Sequence, residues 1–410
     1  MKSQSLEEIN HFRETRAKSA NEQYGDPSSK LNCFGVTGTN GKTSVAWIIS
    51  QLLQHLGHES AYIGTLNSDL TTPDSITFFG KLRALVDQDV TSLVAEVSSH
   101  SLTQHRTRGC NWDVAVFTNL TRDHLDYHLD MESYFQAKKL LFSRDLKESN
   151  KKNRSIVLNI ADSAGERIYH ELKDQFPILT FSAKPKQLAD LMLLEMNSTI
   201  ENSELNFSYE AKKYACKTNL IGDYNGENLL AGIASLLAFG IKLEEIIKAV
   251  PAVECVPGRL ERVKDSFQQK TFFVDYAHTP DALIKAQQSL KHIAHDAKLI
   301  TVFGCGGDRD RGKRPEMGRA VSSISEISII TSDNPRSEDP LKIIADIEPG
   351  MIPESKFYIE PDRKKAIELA HSLATSKDLI LVAGKGHEKY QEIMGVRYPF
   401  SDQEVCAATG

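Results

Sequence analysis

Between residues 35 and 44 the chain reads Gly35-Val36-Thr37-Gly38-Thr39-Asn40-Gly41-Lys42-Thr43-Ser44. A loop of this composition, ending a strand and opening a helix, turns backbone N–H groups toward phosphate oxygens, and the helix N-terminus adds positive potential. In that setting Lys42 neutralises the outer phosphates of a nucleotide and the Thr43 hydroxyl ligates magnesium. Gly38, Thr39, Asn40, Gly41 and Ser44 complete the candidate cradle. The general phosphate-loop pattern places Gly where this chain has Val36, so the strict match fails. A plain Gly-rich turn ahead of a helix is the alternative.

Four further groups could share the chemistry. Glu96 and His124 offer a hard and a borderline metal ligand at the ends of adjacent strands, and the alternative for His124 is a hydrogen-bonded structural histidine. Asp123 and Asp126 suit the capping of a turn. Lys138 lies on a helix among Tyr134, Phe135 and Leu141; from those residues alone it reads as a lysine laying its stem on apolar surface. Asn225 and Asn228, in the run Gly-Asp-Tyr-Asn-Gly-Glu-Asn, either hold nucleotide or cap a helix.

The elements that must position these groups follow a regular order. From Leu31 an apolar run, the Gly-rich loop and the amphipathic stretch 44–56 read as strand, loop and helix, and apolar runs recur at 92–97 and 113–118. Such alternation implies a mostly parallel sheet with helices on both faces. Residues 185–218 differ: 191–196, 204–209 and 214–220 are short alternating runs, as in antiparallel strands at a sheet edge. A second series begins near Val256-Pro257-Gly258, with strands expected at 271–275, 298–304, 327–332, 356–359 and 378–383. The fold class is therefore α/β, with a mostly parallel sheet carrying the candidate loop and then a Rossmann-like C-terminal domain; if the loop holds nucleotide, the first part is a P-loop central ATPase domain. The expected divisions are a short linker remnant at 1–30, the central domain at 31–254 and the C-terminal domain at 255–410.

Composition bounds the function. The chain has 410 residues, 40% of them hydrophobic and 25% charged, ordinary for two or three globular domains. A formal charge of −6 argues against general nucleic-acid binding, while local Arg and Lys clusters can still take anionic substrates. The six cysteines are scattered without a C-x-x-C pair, which points to reduced thiols and away from a disulfide framework or zinc site. The opening residues are polar, and no apolar stretch is long enough to span a bilayer. A cytoplasmic protein without membrane insertion, acting as a monomer, is expected.

Beyond the loop, a series of runs follows in order: Thr71-Thr72-Pro73-Asp74, Glu96-Val97-Ser98-Ser99-His100, Asn119 through His128, Ala137 through Phe142, and Pro257-Gly258-Arg259-Leu260-Glu261. Asp275-Tyr276-Ala277-His278-Thr279-Pro280-Asp281, Gly304 through Asp310, Asp333-Asn334-Pro335-Arg336 and Gly384-Lys385-Gly386-His387-Glu388 complete it. The whole resembles the Mur ligase family, in the branch that adds the third residue of the peptidoglycan peptide.

The resemblance implies an ATP- and magnesium-dependent ligase that activates a carboxylate as an acyl phosphate and joins it to an amine. Lys42, Glu96, His124 and Lys138 would carry the chemistry. Thr43, Glu96, His124 and a carbamylated Lys138 would hold magnesium; the modification turns a repelled cation into an anionic ligand. Thr71, Thr72, Ser98, Gln104 and Arg106 match positions that contact the muramyl-peptide acceptor, and Arg106 suits a peptide ending in D-Glu. Arg259 and Asp275 would engage ATP on closure, with Tyr276 and His278 lining the seam. Arg309, Asp333, Asn334, Pro335, Arg336, Gly384 and Glu388 match positions that bind meso-diaminopimelate, whose distal carboxylate suits Arg336 and whose ammonium suits Glu388.

Full-length members also carry an N-terminal domain of roughly 100 residues that grips the uridine diphosphate. Only about thirty polar residues precede the first strand here, too few to bury a core. The catalytic part is thus expected without the nucleotide-sugar anchor. Three readings remain: ligation of diaminopimelate to UDP-MurNAc-L-Ala-D-Glu, a ligase for a non-UDP acceptor (peptide recycling, a specialised metabolite or a folylpolyglutamate-type substrate), and a non-catalytic paralogue.

Overall fold

The computed structural model describes residues 5–184, 189–294 and 296–410. It divides into two compact units. The first comprises the chain up to Asn197 with Asn202–Leu220 and Asn225–Glu254; the second comprises Ser198–Glu201, Ile221–Tyr224 and Cys255–Gly410. The short stretches 198–201 and 221–224 belong to the second unit, inside the span read from sequence as central domain.

The first unit is built on a nine-stranded sheet of order β2-β3-β1-β4-β5-β6-β7-β8-β9. Its strands are β1 (Asn32–Thr37), β2 (Ser60–Ile63), β3 (Ser92–Glu96), β4 (Val114–Phe117), β5 (Ser155–Asn159), β6 (Ile178–Ser182), β7 (Leu191–Ser198), β8 (Ser203–Tyr209) and β9 (Lys212–Thr218). Pairings from β2 across to β7 are parallel, and β8 pairs with β9 antiparallel. The antiparallel edge expected within 185–218 is thus present; residues 185–188 of that reading, like residues 1–4, lie outside the described residues.

Side chains alternate across the sheet and build a core on each face. Phe34, Val36, Val94, Val116 and Val157 pack under the helices Lys42–His55 and Asp223–Phe239. Cys33, Leu93, Ala95, Ala115 and Phe117 pack on the opposite face with Trp112, Phe78 and Phe142. The segment 1–30, read as a linker remnant, instead carries the helix Leu6–Gln23. Ser5 and Glu8 form a capping box at its start, and it packs along the helix Ser75–Asp87. Buried Ala17 and Ala20 permit the close approach, and Glu14 meets Arg108 at 3.1 Å.

The second unit has a six-stranded sheet of order β10-β11-β15-β12-β13-β14. These are β10 (Glu261–Lys264), β11 (Thr271–Asp275), β12 (Leu299–Phe303), β13 (Ile327–Ile330), β14 (Phe357–Ile359) and β15 (Leu379–Ala383). All neighbours are parallel except β10 against β11. A separate hairpin joins β16 (Tyr390–Ile393) to β17 (Val396–Pro399). Register sets the functional loops side by side: Asp275 is level with Ala383, Val302 with Val382, and Phe303 with Ile330. The loops after β11, β12, β13 and β15 therefore leave one end of the sheet, where ligands of open α/β sheets bind.

Candidate active site

In the first unit the candidate phosphate-binding loop follows β1 and opens the helix Lys42–His55. Its shape is fixed by the loop after β4. Thr39 N donates to the Asn119 carbonyl at 2.8 Å and Asn40 N to Asn119 Oδ1 at 2.9 Å. Thr118 Oγ1 and Asn119 Nδ2 donate back to the Asn40 carbonyl at 2.6 and 3.0 Å. Gly38 has φ +152°, and a Cβ there would lie 1.8 Å from Thr118 Oγ1, so only glycine lets the two loops meet. Lys42 Nζ curls over the loop, donating to the carbonyls of Gly38 (3.0 Å) and Thr39 (2.9 Å).

Parallel register sets Glu96 opposite Val36, one residue before the loop strand ends. Its carboxylate is fully buried and receives the Tyr62 hydroxyl, Thr65 N (2.9 Å), Thr65 Oγ1 (3.3 Å) and Thr43 Oγ1 (3.0 Å). A hydroxyl and a carboxylate side by side at a phosphate loop are hard oxygen donors, and this donor set fits magnesium.

The remaining candidate ligands are placed differently. Lys138 is buried, donates to the Gly38 carbonyl at 2.6 Å and sits 4.3 Å from the Tyr134 ring centre. Burial, helped by the charge of Lys42, pushes its ammonium well below the usual lysine range. His124, in the left-handed region at φ +55°, faces Asp123 at 3.5 Å and stacks edge-on with His100 and Tyr134. Its side chain stays partly exposed, and partial desolvation with the nearby charge of Lys42 lowers its pKa. Tyr134 links this pair to the loop through a 3.2 Å contact with Thr39 Oγ1. Thr43 and Glu96 therefore meet directly, whereas Lys138 reaches the loop at the Gly38 carbonyl and His124 only through Tyr134. Among the described residues no three His, Cys, Asp or Glu side chains converge as a metal cluster.

The five candidate acceptor contacts come together next to Glu96. Thr72 Oγ1 donates to the Glu96 carbonyl at 2.8 Å and accepts from Ser98 N at 3.1 Å. Thr71 Oγ1 lies 3.1 Å from Thr65 Oγ1. Arg106 donates to the Thr72 carbonyl at 2.7 Å and grips Gln104 Oε1 with Nε and Nη2. Asn228, on the helix Asp223–Phe239 rather than at its cap, packs on the loop: a Cβ on Gly41 would meet Asn228 Oδ1 at 2.6 Å.

In the second unit the loops after β13 and β15 form one polar cluster. Asn334 Nδ2 donates to Glu388 Oε2 at 2.8 Å, and buried Lys385 donates to Asn334 Oδ1 (3.0 Å) and Glu388 Oε2 (3.1 Å). Gly384, at φ +117°, lies so close to Asp333 that a Cβ would come within 2.2 Å of Oδ2. Arg336 spans to the loop after β12, donating to the Gly307 carbonyl at 2.6 Å. Arg309 sits on that loop, its guanidinium turned back on the Asp308 carbonyl at 3.3 Å. The hairpin strand β16 holds the Asp333–Arg336 segment through Gln391 Nε2 to Asp333 O (2.7 Å) and Glu392 N to Asn334 Oδ1 (2.9 Å).

Around β11, Arg259 lies 4.5 Å from the Tyr276 ring centre, and His278 Nδ1 is 2.8 Å from the Tyr276 carbonyl. Asp275 is buried, its carboxylate accepting from Leu260 N (2.6 Å), Ala277 N (2.7 Å) and the Tyr224 hydroxyl (3.1 Å). It clamps the Gly258–Leu260 turn, a structural duty that spacing alone does not reveal. Other residues missed from sequence are Tyr62, Thr65, Thr118, Asn119 and Lys385. Asn119 and Lys385 stand inside conspicuous runs, whereas Tyr62 and Thr65 lie in no motif.

Comparison with known proteins identifies the family. Residues 36–236 match the Mur ligase middle domain and residues 258–386 the Mur ligase, glutamate ligase domain. A relative from Aquifex aeolicus named UDP-N-acetylmuramoyl-L-alanyl-D-glutamate--2,6-diaminopimelate ligase is 42% identical, over 97% of this chain and 81% of its own length. A protein of the same name from Geobacillus kaustophilus is 40% identical, over 98% and 83%. A solved structure of a ligase of that name superposes with a TM-score of 0.68 at 34% identity, over 96% of this chain and 82% of the other. A folylpolyglutamate synthase from Mycobacterium tuberculosis superposes at 0.73 with 19% identity, over 92% and 95%, and shares the fold alone.

Proposed function

Because the chain belongs to the Mur ligase family, we propose that it joins meso-diaminopimelate to the D-Glu carboxylate of UDP-MurNAc-L-Ala-D-Glu in peptidoglycan precursor synthesis. The chain is an ATP-dependent amide ligase, and the reaction runs through an acyl phosphate with release of ADP and phosphate. One observation supports the choice of amine: the loop that carries Arg336 also holds Glu388, through the 2.8 Å bond from Asn334 Nδ2 to Glu388 Oε2. A guanidinium and a carboxylate tied to one loop are the two groups that the zwitterionic end of diaminopimelate needs.

The chain's own groups divide the work. Lys42 and the loop N–H groups hold the ATP phosphates, as the helix N-terminus favours. Thr43 and Glu96 would hold magnesium, with His124 and Lys138 completing the set. The metal, when bound, neutralises charge on the transferring phosphoryl group. Burial lowers the Lys138 pKa and so favours the neutral amine, the form that combines with carbon dioxide to give a carbamate and a released proton. Arg106 orients the acceptor carboxylate, with Thr71, Thr72 and Ser98 beside it. Arg259 and His278 bind nucleotide.

The test is phosphate release with ATP, magnesium and meso-diaminopimelate, with UDP-MurNAc-L-Ala-D-Glu present or withheld. The reading requires release that depends on both the acceptor and the amine, with a tripeptide product by mass spectrometry. Release with L-lysine matching that with diaminopimelate would overturn the choice of amine.

A further inference from the structure

Lys385 is a buried cation that neither phosphate binding nor carboxylate recognition, as described above, employs. Its side chain is fully enclosed, and its ammonium makes two bonds, to Asn334 Oδ1 (3.0 Å) and Glu388 Oε2 (3.1 Å), with the Tyr390 ring centre 5.5 Å away. Enclosing an ammonium is costly unless its partners are fixed, so the burial itself constrains both partners.

The consequences can be followed atom by atom. Asn334 Oδ1 already accepts from Glu392 N at 2.9 Å, and with Lys385 as a second donor it cannot exchange places with the amide nitrogen. Nδ2 is therefore committed to Glu388 Oε2. That oxygen then carries two donors, while among the described residues no hydrogen bond reaches Glu388 Oε1. The carboxylate, mostly covered, is thus held by one oxygen with the other left to accept.

We propose that Lys385 is a positioning residue of the amino-acid site: it fixes the Asn334 amide and one oxygen of Glu388, leaving Oε1 as the acceptor for the incoming ammonium. This rests on the reading that Glu388 meets the amine of the substrate. The lysine acts through Glu388 and touches no reacting atom. Its removal should therefore weaken capture of the amine and leave ATP handling alone.

The experiment compares wild type, Lys385→Met, Lys385→Gln, Glu388→Gln and the Lys385→Met/Glu388→Gln double variant in the phosphate-release assay. Expected for Lys385→Met is a KM for meso-diaminopimelate raised at least tenfold, about 1.4 kcal/mol at 25 °C, with the KM for ATP within twofold. Lys385→Gln, which can still donate to both partners, should recover part of the loss. In the Glu388→Gln background, Lys385→Met should add less than threefold. Full additivity, or equal rises in the KM for ATP and for the amine, would overturn the proposal. A crystal structure of Lys385→Met is the second arm, decisive even if the variant turns over poorly: a displaced Glu388 carboxylate supports the proposal and an unmoved one refutes it. Wild type inactive with diaminopimelate would instead refute the substrate reading, and the crystal structure would still decide the role of Lys385.

Discussion

Replacing Glu96 with Gln separates its proposed duty as a metal ligand from its place as a hydrogen-bond hub. The carboxylate is fully enclosed and takes four donors: the Tyr62 hydroxyl and Thr65 N on Oε1, and the Thr43 and Thr65 hydroxyls on Oε2. An amide has one acceptor oxygen. Its NH2 must face one of these pairs, and the geometry chooses which. At the Oε1 position it would oppose Thr65 N–H, which cannot turn; at the Oε2 position it meets two hydroxyls, which can rotate to accept. The glutamine is therefore expected to settle with Nε2 toward Thr43. The loss is then the excess of charge-assisted over neutral hydrogen bonds, on the order of 1–2 kcal/mol. For a unit of this size that lowers Tm by roughly 2–8 °C. Catalysis should suffer far more, because the Thr43 hydroxyl is drawn into the amide and the anionic donor is gone. Removing an outer-shell partner alone weakens metal affinity about 10–100-fold, so loss of a direct ligand should raise the magnesium requirement at least about 100-fold. Differential scanning fluorimetry and a magnesium titration of phosphate release measure the two effects. Unchanged magnesium dependence would remove Glu96 from the metal site, and a Tm drop beyond about 10 °C would refute the rotating-hydroxyl account.

Lys42→Ala should cut ATP turnover by at least about 100-fold with an unchanged circular-dichroism spectrum; retained turnover would exclude the phosphate-loop role. Gly384→Ala puts a Cβ 2.2 Å from Asp333 Oδ2 at a φ of +117°, so the KM for the amine should rise with little change in that for ATP, and a wild-type KM would contradict it. Burial, with the charges of His100 and Lys138, pushes His128 down to about 4 from 6.5. Between those values the unfolded chain binds a proton that the folded chain refuses, so stability falls as pH drops from about 6.5 toward 4. Tm measured against pH should decline less steeply in His128→Gln than in wild type, and equal slopes would refute the assignment.

What was legible in the sequence was whatever left a period or a run. Strands 271–275, 327–332 and 378–383 stand out because strands buried on both faces are continuous apolar stretches bounded by glycine or aspartate, and the structure has them as β11, β13 and β15. The helix Leu6–Gln23 was hidden by the opposite property. It is polar nearly all round, burying little beyond Ala17 and Ala20, so it carries no apolar stripe. Its one signal was the Ser5–Glu8 capping box, which marks a helix start without saying what the helix packs on. The hairpin of β16 and β17 escaped for a related reason, since β16 is only partly buried, β17 is exposed, and its turn rests on Met394 and Gly395 at positive φ.

Site residues divide along the same line. Lys42, Thr43 and Glu96 were readable as candidates because phosphate and metal chemistry restricts residue type at fixed spacing. Their supports were not. Tyr62 and Thr65 reach Glu96 only because β2 lies beside β3 in the sheet, a neighbour relation that no local spacing encodes. Lys385 shows the limit most sharply. It stands in a run that was legible, yet nothing in that run marks it as the buried cation that the fold sets against Asn334 and Glu388. A cation becomes informative when burial forces it to choose partners, and burial is a property of the whole sheet rather than of the five residues around it.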